Sequence, residues 1–417
     1  MSLITKIPDI LNAAREEYEN CISGEFKLAY RYGDGGSNIV AEGDNLEFMK
    51  FLIQHQNLKG KINLIYVDPP FFTKLKYEAV VKMPATGENV SIPAYTDKWE
   101  EGEAEYLRML CSRLIAMKEL LAADGCIWVH LDWHISHYVK ILLDEIFGYG
   151  NFVNEIVWTY KSGGSSKKHF SRKHDTLLFY SKTKQYYFKP QKEKSYNRGF
   201  KPYHFKGVEE FCDDTGWYTL VNMKDVWNID MVGRTSAERT GYATQKPEAL
   251  LRRILESCSR EGDICADFFA GSGTLAAAAH QMNRHFITCD GGSLAVSMCT
   301  QRLAKNKADF TVMADADISE SLPCGIELEY DRNSSRYCIS AREYINSQEQ
   351  GDEAIGMWSA DWDYDGNIHK AESLAIRDSK GITTELCGRA GSAISLLFTQ
   401  ITGARKQYVI LTKQPKR

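Results

Sequence analysis

Ile62-Asn63-Leu64-Ile65-Tyr66-Val67-Asp68-Pro69-Pro70-Phe71-Phe72 is the stretch from which the rest of the chain is read. An apolar run of this length, closed by prolines, is the pattern of a strand buried on both faces of a parallel sheet. It ends on an acid. In open α/β sheets ligands bind beyond the carboxyl ends of the strands, so Asp68 is delivered to a ligand site. Pro69 and Pro70 have fixed φ and no N–H, which leaves the carbonyls of Asp68 and Pro69 as rigidly held acceptors. An acid, a free carbonyl and the ring of Phe71 together suit a flat ligand carrying an amino group. A nucleobase is such a ligand.

Upstream, residues 38–43 read as a short strand that enters an apolar-periodic helix over residues 46–53, with Gly43-Asp44-Asn45 at the junction. Asp44 therefore also lies at a strand end, although on the residues alone a plain helix N-cap is the preferred reading. Residues 9–21 read as an exposed helix. Downstream, residues 72–99 are polar and broken by Pro84, Gly87 and Pro93. So long a connection beside the Asp68 turn reads as an irregular, mobile loop. Leu107, Leu110, Leu114, Met117, Leu120 and Leu121 give one apolar face to a helix over residues 103–121, which Asp124-Gly125 ends. A strand over 126–132, a helix over 135–147 closed by Gly148, and strands at 151–158 and 175–180 follow. His130, Asp132 and His134 are close in sequence but fit none of the common ligand spacings, so no metal is assigned.

A second turn lies far from the first. After Gly241-Tyr242-Ala243-Thr244-Gln245-Lys246-Pro247-Glu248 comes a helix over 249–257. A strand over 264–268 then enters Asp267-Phe268-Phe269-Ala270-Gly271-Ser272-Gly273-Thr274 and an alanine-rich helix. Glycines at 271 and 273 let a ligand approach the backbone where strand becomes helix. The turn is not Gly-x-Gly-x-x-Gly, because Ala276 stands at the third position, and it is not a P-loop, because no Lys follows. The next strand, 285–289, ends on Asp290, where a carboxylate can grip two ribose hydroxyls. Adenosine without a pyrophosphate best fits these residues.

Between residues 159 and 206 the composition turns basic. Lys161, Lys167, Lys168, Arg172 and Lys173 begin a run of cations that meets only Asp175 and Glu193, and Tyr160, Phe170, Tyr186, Tyr187, Phe188, Tyr196, Phe200, Tyr203 and Phe205 are interleaved. Cations neutralise phosphates and aromatic rings stack on unpaired bases, so the mixture points to nucleic-acid contact over a merely solvated loop. Lys161-Ser162-Gly163-Gly164-Ser165-Ser166-Lys167-Lys168 reads as flexible. From about Pro323 onward short alternating segments at 325–330, 335–339 and 407–412 suggest a small β domain. Within it, Asp361-Trp362-Asp363-Tyr364-Asp365-Gly366 with Glu372 has the spacing of a calcium loop. The alternation of Trp358, Trp362 and Tyr364 and the Asp365-Gly366 turn favour strand and hairpin instead.

The chain has 417 residues, 43% hydrophobic and 25% charged, with a net charge of −4, enough for two or three domains of ordinary globular composition. No run suits a membrane span or a secretory signal, and the reading is a cytoplasmic protein. Its 11 cysteines are scattered with no Cys-x-x-Cys pair, which argues for reduced thiols over disulfides or zinc.

Asp68-Pro69-Pro70-Phe71 together with Asp267 to Thr274 resembles the S-adenosylmethionine-dependent amino-methyltransferases of DNA. The order, Asp-Pro-Pro-Phe turn before glycine turn, is similar to their permuted beta group. Further matches include Gly43 to Glu47, Tyr95-Thr96-Asp97-Lys98-Trp99, Lys173-His174-Asp175-Thr176 and Thr244-Gln245-Lys246-Pro247. Ala243 departs from the usual Pro, and Phe72-Thr73-Lys74 departs from Asn-Thr-Gly, with Phe72 expected to alter the base pocket. The resemblance implies a Rossmann-like α/β methyltransferase sheet flanked by helices, with an inserted target-recognition region and a small C-terminal β-rich domain. The boundaries are 1–37 for an N-terminal helical segment, 38–158 for the catalytic half, 159–240 for DNA recognition, 241–320 for the cofactor half and 321–417 for the β domain.

The resemblance further implies methyl transfer from S-adenosylmethionine to N6 of adenine in DNA, within a restriction-modification or related system. Asp68, Pro69, Pro70 and Phe71 would be catalytic. Asp44, Asn45, Lys246, Asp267, Phe269, Ala270, Gly271, Gly273, Thr274 and Asp290 would hold the cofactor, Asp44 at its adenine and Lys246 at its carboxylate. Lys161, Lys167, Lys168, Arg172 and Lys173 would contact DNA. A restriction nuclease, another modification subunit or a second copy of the chain would be partners. A cytosine-N4 enzyme, which mostly begins its turn with Ser, and a catalytically silent DNA-binding subunit are the rival readings.

Overall fold

The computed structural model describes residues 2–83, 87–161, 165–319, 321–349 and 353–412. Pro84 and the Ser162-Gly163-Gly164 part of the segment read as flexible lie outside them. Among the described residues no helix is long and apolar enough to cross a membrane.

An eleven-stranded sheet organises the chain. Its centre is six parallel strands in the order Leu121–Leu131, Ile62–Val67, Ile264–Asp267, His285–Asp290, Ile39–Glu42 and Phe310–Met313. On one flank His174–Ser181 runs antiparallel, followed by Phe152–Thr159 and Val226–Asn228. On the other stand Tyr30–Tyr32 and His369–Ala371. The Ile62–Val67 strand is apolar but for Asn63, which accepts from the Ile264 amide, because both its faces are covered. Ile62, Ile65 and Val67 pack under the helices Leu3–Asn20, Asn45–Gln54, Glu103–Leu120 and Ser136–Phe147. Leu64 and Tyr66 pack under Glu248–Cys258, Thr274–Gln281 and Ser293–Lys305.

Two local readings are corrected. Asp124-Gly125 does not end a helix: the helix stops at Leu120 and the next strand starts at Leu121, with Gly125 inside it. A Cβ at Gly125 would meet the carbonyls of Ile62 and Asn63 at 2.9 and 3.0 Å, so this glycine permits close approach of neighbouring strands. Residues 72–99 are not an irregular loop. Lys76–Lys82 and Asn89–Thr96 form an antiparallel hairpin, whose Ala79, Met83 and Ile92 pack against Tyr242, Leu294 and Ala295. Pro93 stands opposite Glu78 beside a register shift, where a residue without an N–H costs little.

Between residues 192 and 222, Lys192–Tyr196, Phe211–Asp213 and Gly216–Asn222 make a three-stranded antiparallel sheet. After residue 321 the chain builds mostly sheet. Ile355–Asp361, Ser373–Ile376, Ala393–Gln400 and Arg405–Leu411, joined by Asp317–Ser319, form a five-stranded sheet around the stacked rings of Trp358 and Phe398. Glu327–Asp331, Arg336–Ser340 and Glu385–Gly388 form a second. Cys338 and Cys387 lie directly opposite in that sheet and are joined as a disulfide, against the reading of reduced thiols throughout. Their sequence separation of 49 hid the pairing from a search of local spacing. The Asp361 to Glu372 segment links two strands with no helix on either side. Its Asp361 accepts from the amides of Asp363 and Lys370, and Asp365 from those of Asn367 and Ile368. Those carboxylates are engaged by their own backbone, which agrees with the turn reading.

His369 tests how the C-terminal strands are held to the large sheet. It is fully buried between the hydroxyls of Ser359 at 2.8 Å and Ser395 at 3.0 Å, and burial pushes its imidazole down to about 3. A histidine held neutral contributes stability that is present above its ordinary range and lost as pH falls toward about 3. Between pH ~6 and ~4, His369→Gln should flatten the loss of stability by up to about 1.4 kcal/mol per pH unit, read by urea unfolding at each pH.

Candidate active site

The parallel strands end at one edge, and an acid stands at or just beyond each central end. Asp132 follows Leu121–Leu131, Asp68 follows Ile62–Val67, and Asp267 and Asp290 close their own strands. A cavity of about 180 Å³ opens there, lined by Asp68 to Phe71, Tyr95, Tyr242, Lys246, Asp267, Phe269 to Ser272 and Asp290. The Asp-Pro-Pro-Phe turn and the glycine turn, about 200 residues apart in sequence, face each other because their strands are neighbours, with Tyr66 in register with Asp267.

Asp68 is held by Lys246, whose Nζ lies 2.7 Å from Oδ1 and 2.6 Å from Oδ2. The same ammonium sits 5.0 Å from the centre of the Phe71 ring. Lys246 thus stands on the Asp-Pro-Pro-Phe side as well as near the glycine turn, where its carbonyl accepts from the Thr274 hydroxyl at 3.3 Å. Among the described residues no group donates to the Pro69 carbonyl, which stays a free acceptor.

Beyond Phe71 the turn is strained and clamped. Phe72 and Lys74 have φ of 61° and 64°, the left-handed region that costs an ordinary residue about 1–2 kcal/mol. Buried Asp97 offsets this. It accepts from the amides of Phe72 and Thr73, the Thr73 hydroxyl and the Trp99 indole at 2.6–3.2 Å. Hydrogen bonds to a charged group are worth about 1.5–3 kcal/mol each, so the clamp outweighs the strain. Phe72 does not shape the base pocket as expected. Its ring turns away into the helix-covered core beside Tyr106, because the left-handed backbone points the side chain inward.

On the glycine-turn side, Asp267 accepts from the Phe269 amide at 2.9 Å, and Asp290 accepts from the amides of Gly271 at 2.8 Å and Gly292 at 2.9 Å. Burial pushes the Asp267 carboxyl well above the usual carboxylate range, with Asp68 and Asp290 adding to the rise. Burial raises Asp290 too, against the pull of its two amide donors. Gly273 has φ of 71°, and a Cβ there would meet Cys299 Sγ at 2.3 Å. Asp44 does cap its helix, accepting from Leu46 and Glu47, and its other oxygen takes Arg113 at 2.8 Å. Asn45 bonds Arg113 and the Phe268 carbonyl. Neither lines the cavity.

Sequence reasoning missed a buried polar chain behind Phe71. Tyr66 Oη lies 2.7 Å from His130 Nδ1, His130 Nε2 lies 3.1 Å from Asp175, and the Tyr160 hydroxyl donates to the other Asp175 oxygen at 3.1 Å. The His130 ring packs on Phe71 at 5.7 Å. Burial pushes the Asp175 carboxyl up, but the hydrogen bond and charge of His130, with Lys246 and Tyr160, outweigh it and hold the group low. His130 and Asp132 do not share a metal site: His130 belongs to this chain of contacts, while Asp132 pairs with His134 at 2.7 Å. Strand register alone brings Tyr66 beside His130, and no short motif announces it.

The basic residues lie on the loop after Phe152–Thr159, a strand whose end shares the edge with Asp68. Lys161, Lys167, Lys168 and Arg172 are exposed, Lys173 is half-buried with its ammonium near the Lys161 carbonyl, and Phe170 is 98% exposed. Arg172 stacks 3.7 Å from the Trp133 ring.

Helices on both faces of a parallel sheet, with a cavity at the carboxyl edge between two central strands, define the doubly wound α/β class. Within that class, the DNA methylase family profile (N6_N4_Mtase) matches residues 62–299, and the chain belongs to that family. It is 29% identical to the type II methyltransferase M.EcaI of Enterobacter cloacae over 60% of this chain and 66% of that protein. It is 25% identical to the probable type III restriction-modification enzyme HindVI Mod subunit of Haemophilus influenzae over 68% of this chain and 52% of that one. The chain therefore spans between half and two thirds of the length of these curated relatives. Among solved structures, the cytosine-N4-specific PvuII DNA methyltransferase aligns at 16% identity and a TM-score of 0.45, covering 67% of this chain and 90% of that one.

The clamp makes opposite predictions for two substitutions. Lys74→Gly relieves left-handed strain and should raise unfolding stability by up to about 1 kcal/mol in urea. Asp97→Ala strands three donors, the amides of Phe72 and Thr73 and the Trp99 indole, and should lower it by more than about 3 kcal/mol in the same measurement.

Proposed function

We propose that this protein transfers a methyl group from S-adenosylmethionine to N6 of adenine in DNA. Asp68, Pro69 and Phe71, which line the cavity together, carry the reading. A target adenine, flipped from its duplex, would stack on Phe71 and give its two amino hydrogens to these acceptors. The amino lone pair is delocalised into the ring, so acceptance of both hydrogens draws nitrogen toward tetrahedral geometry and stabilises the positive charge of attack. An acid at this position favours adenine over cytosine. Transfer in line needs no covalent intermediate, and no cysteine lines the cavity.

The residues present fit the methyl donor by their chemistry. The cavity offers Asp290 at a strand end for ribose hydroxyls, the backbone from Phe269 to Gly273 for the amino-acid end, and three acids for a cationic ligand. Lys246 would meet the donor's carboxylate. Asp44, with Asn45, would reach its adenine only from beside the cavity, sharing an oxygen already bonded to Arg113. When bound, the donor supplies an electrophilic methyl on a sulfonium. The exposed loop at Lys161, Lys167, Lys168, Arg172 and Lys173 supports contact with DNA phosphates. The two curated relatives support a place in a restriction-modification system, with a nuclease or another modification subunit as partner.

Incubation with labelled S-adenosylmethionine and unmethylated genomic DNA, then digestion to nucleosides, tests the reading. Labelled N6-methyladenine is expected. Label in N4-methylcytosine overturns the adenine assignment, and DNA binding without label points to a silent subunit. Asp68→Asn is the better probe of the acid than Asp68→Ala, since asparagine keeps the volume and one acceptor oxygen for the enclosed Lys246 ammonium where alanine keeps neither. Asn at this position should abolish transfer while equilibrium dialysis still shows donor bound. Reversing charge at Lys167, Lys168 and Arg172 should make the salt dependence of DNA binding shallower, by about 0.9 in log–log slope for each phosphate that is no longer neutralised.

A further inference from the structure

The Asp68 carboxylate is the group that must receive the amino hydrogens of the base, yet both its oxygens are taken by one ammonium at 2.7 and 2.6 Å. The two side chains, Lys246 and Asp68, are only 8% and 18% exposed, so solvent screens their attraction little. Among the described residues, Lys246 is also the only cationic side chain lining a cavity that holds Asp68, Asp267 and Asp290. A ligand that brings its own carboxylate into this cavity meets three acids and has one cation to turn to.

The position of Lys246 in the chain suits it to serve both sides. Its backbone carbonyl is bonded to Thr274 at the glycine turn, while its side chain reaches across to the Asp-Pro-Pro-Phe turn. Thr244, two residues earlier, is in the left-handed region at φ 59°, which fixes how the segment enters the cavity.

We infer that Lys246 sets the order of substrate binding: it occupies Asp68 until an amino-acid carboxylate in the cavity draws the ammonium away. Methyl-donor binding then frees Asp68 for the base, and a base arriving first finds its acceptor blocked. Lys246 is on this account a positioning residue that acts through Asp68. The inference rests on the methyl-transfer reading above and adds to it a compulsory order, donor before base.

The test uses the full chain and a duplex bearing the sequence it methylates, with the target adenine kept, since its 6-amino group is what Asp68 would accept from, and 2-aminopurine in place of the base stacked next to it. The 2-aminopurine fluorescence reports unstacking of the target from the duplex, independent of turnover. S-adenosylhomocysteine carries the carboxylate and no methyl, and 5′-methylthioadenosine lacks the amino-acid part. Both are used at concentrations that dialysis shows to be saturating. Fluorescence should rise severalfold with S-adenosylhomocysteine and stay at the free-duplex level with DNA alone or with 5′-methylthioadenosine. Lys246→Gln should give the raised signal with DNA alone. Equal signals with and without S-adenosylhomocysteine, equal effects of the two ligands, or a flat trace throughout overturn the inference. The ligand comparison in the unaltered protein stands even if Lys246→Gln does not fold. Failure of the adenine reading shows separately, as label in cytosine in the nucleoside digest.

Discussion

A strand buried on both faces has no room for charge along its length, and that constraint shapes the whole active edge. Acids can stand only where a central strand leaves the sheet, so Asp132, Asp68, Asp267 and Asp290 gather along one line. Such crowding is unfavourable unless each carboxylate has its own compensation. Asp68 has the Lys246 ammonium, Asp132 has His134, and Asp267 and Asp290 have backbone amides, while nearby Asp44 has Arg113. The partners of Asp68 and Asp44 lie 178 and 69 residues away, whereas Asp132, Asp267 and Asp290 each have a partner two residues on. The first two are therefore compensated only when the sheet has closed.

The degree to which the sequence disclosed this site follows from the range of the interactions. The Ile62–Val67 strand and its terminal acid were legible because a doubly buried strand imposes an apolar run that nothing local contradicts. The glycine turn and the acid at Asp290 were legible because each closes a short apolar strand whose pattern is local. Asp97 was visible only as part of a matched framework. Its work as a clamp depends on reaching back 25 residues to Phe72, across a hairpin that proline and glycine disguised as loop. Tyr66, His130 and Asp175 are brought together by strand register across three neighbours, and register is not written in any one of the three segments. The pairing of Cys338 with Cys387 was hidden in the same way.

The C-terminal strands show a further limit of reading in chain order. They have their own apolar core around Trp358 and Phe398, yet they also extend the large sheet through His369–Ala371. Arg405, nearly buried, pairs with Glu42 beside the Asp290 strand. Met357 and Leu397 join the core beneath the glycine-turn helices. Charge and apolar surface thus both cross the boundary that composition suggested near Pro323.

The small three-stranded sheet between residues 192 and 222 leaves and rejoins the body at nearly one point: the Met223 amide donates to the Gln191 carbonyl at 3.0 Å. A segment whose two ends are tied together behaves as a cassette. Its length and composition can change without altering the distance between the strands on either side, because the closing bond and not the segment sets that distance.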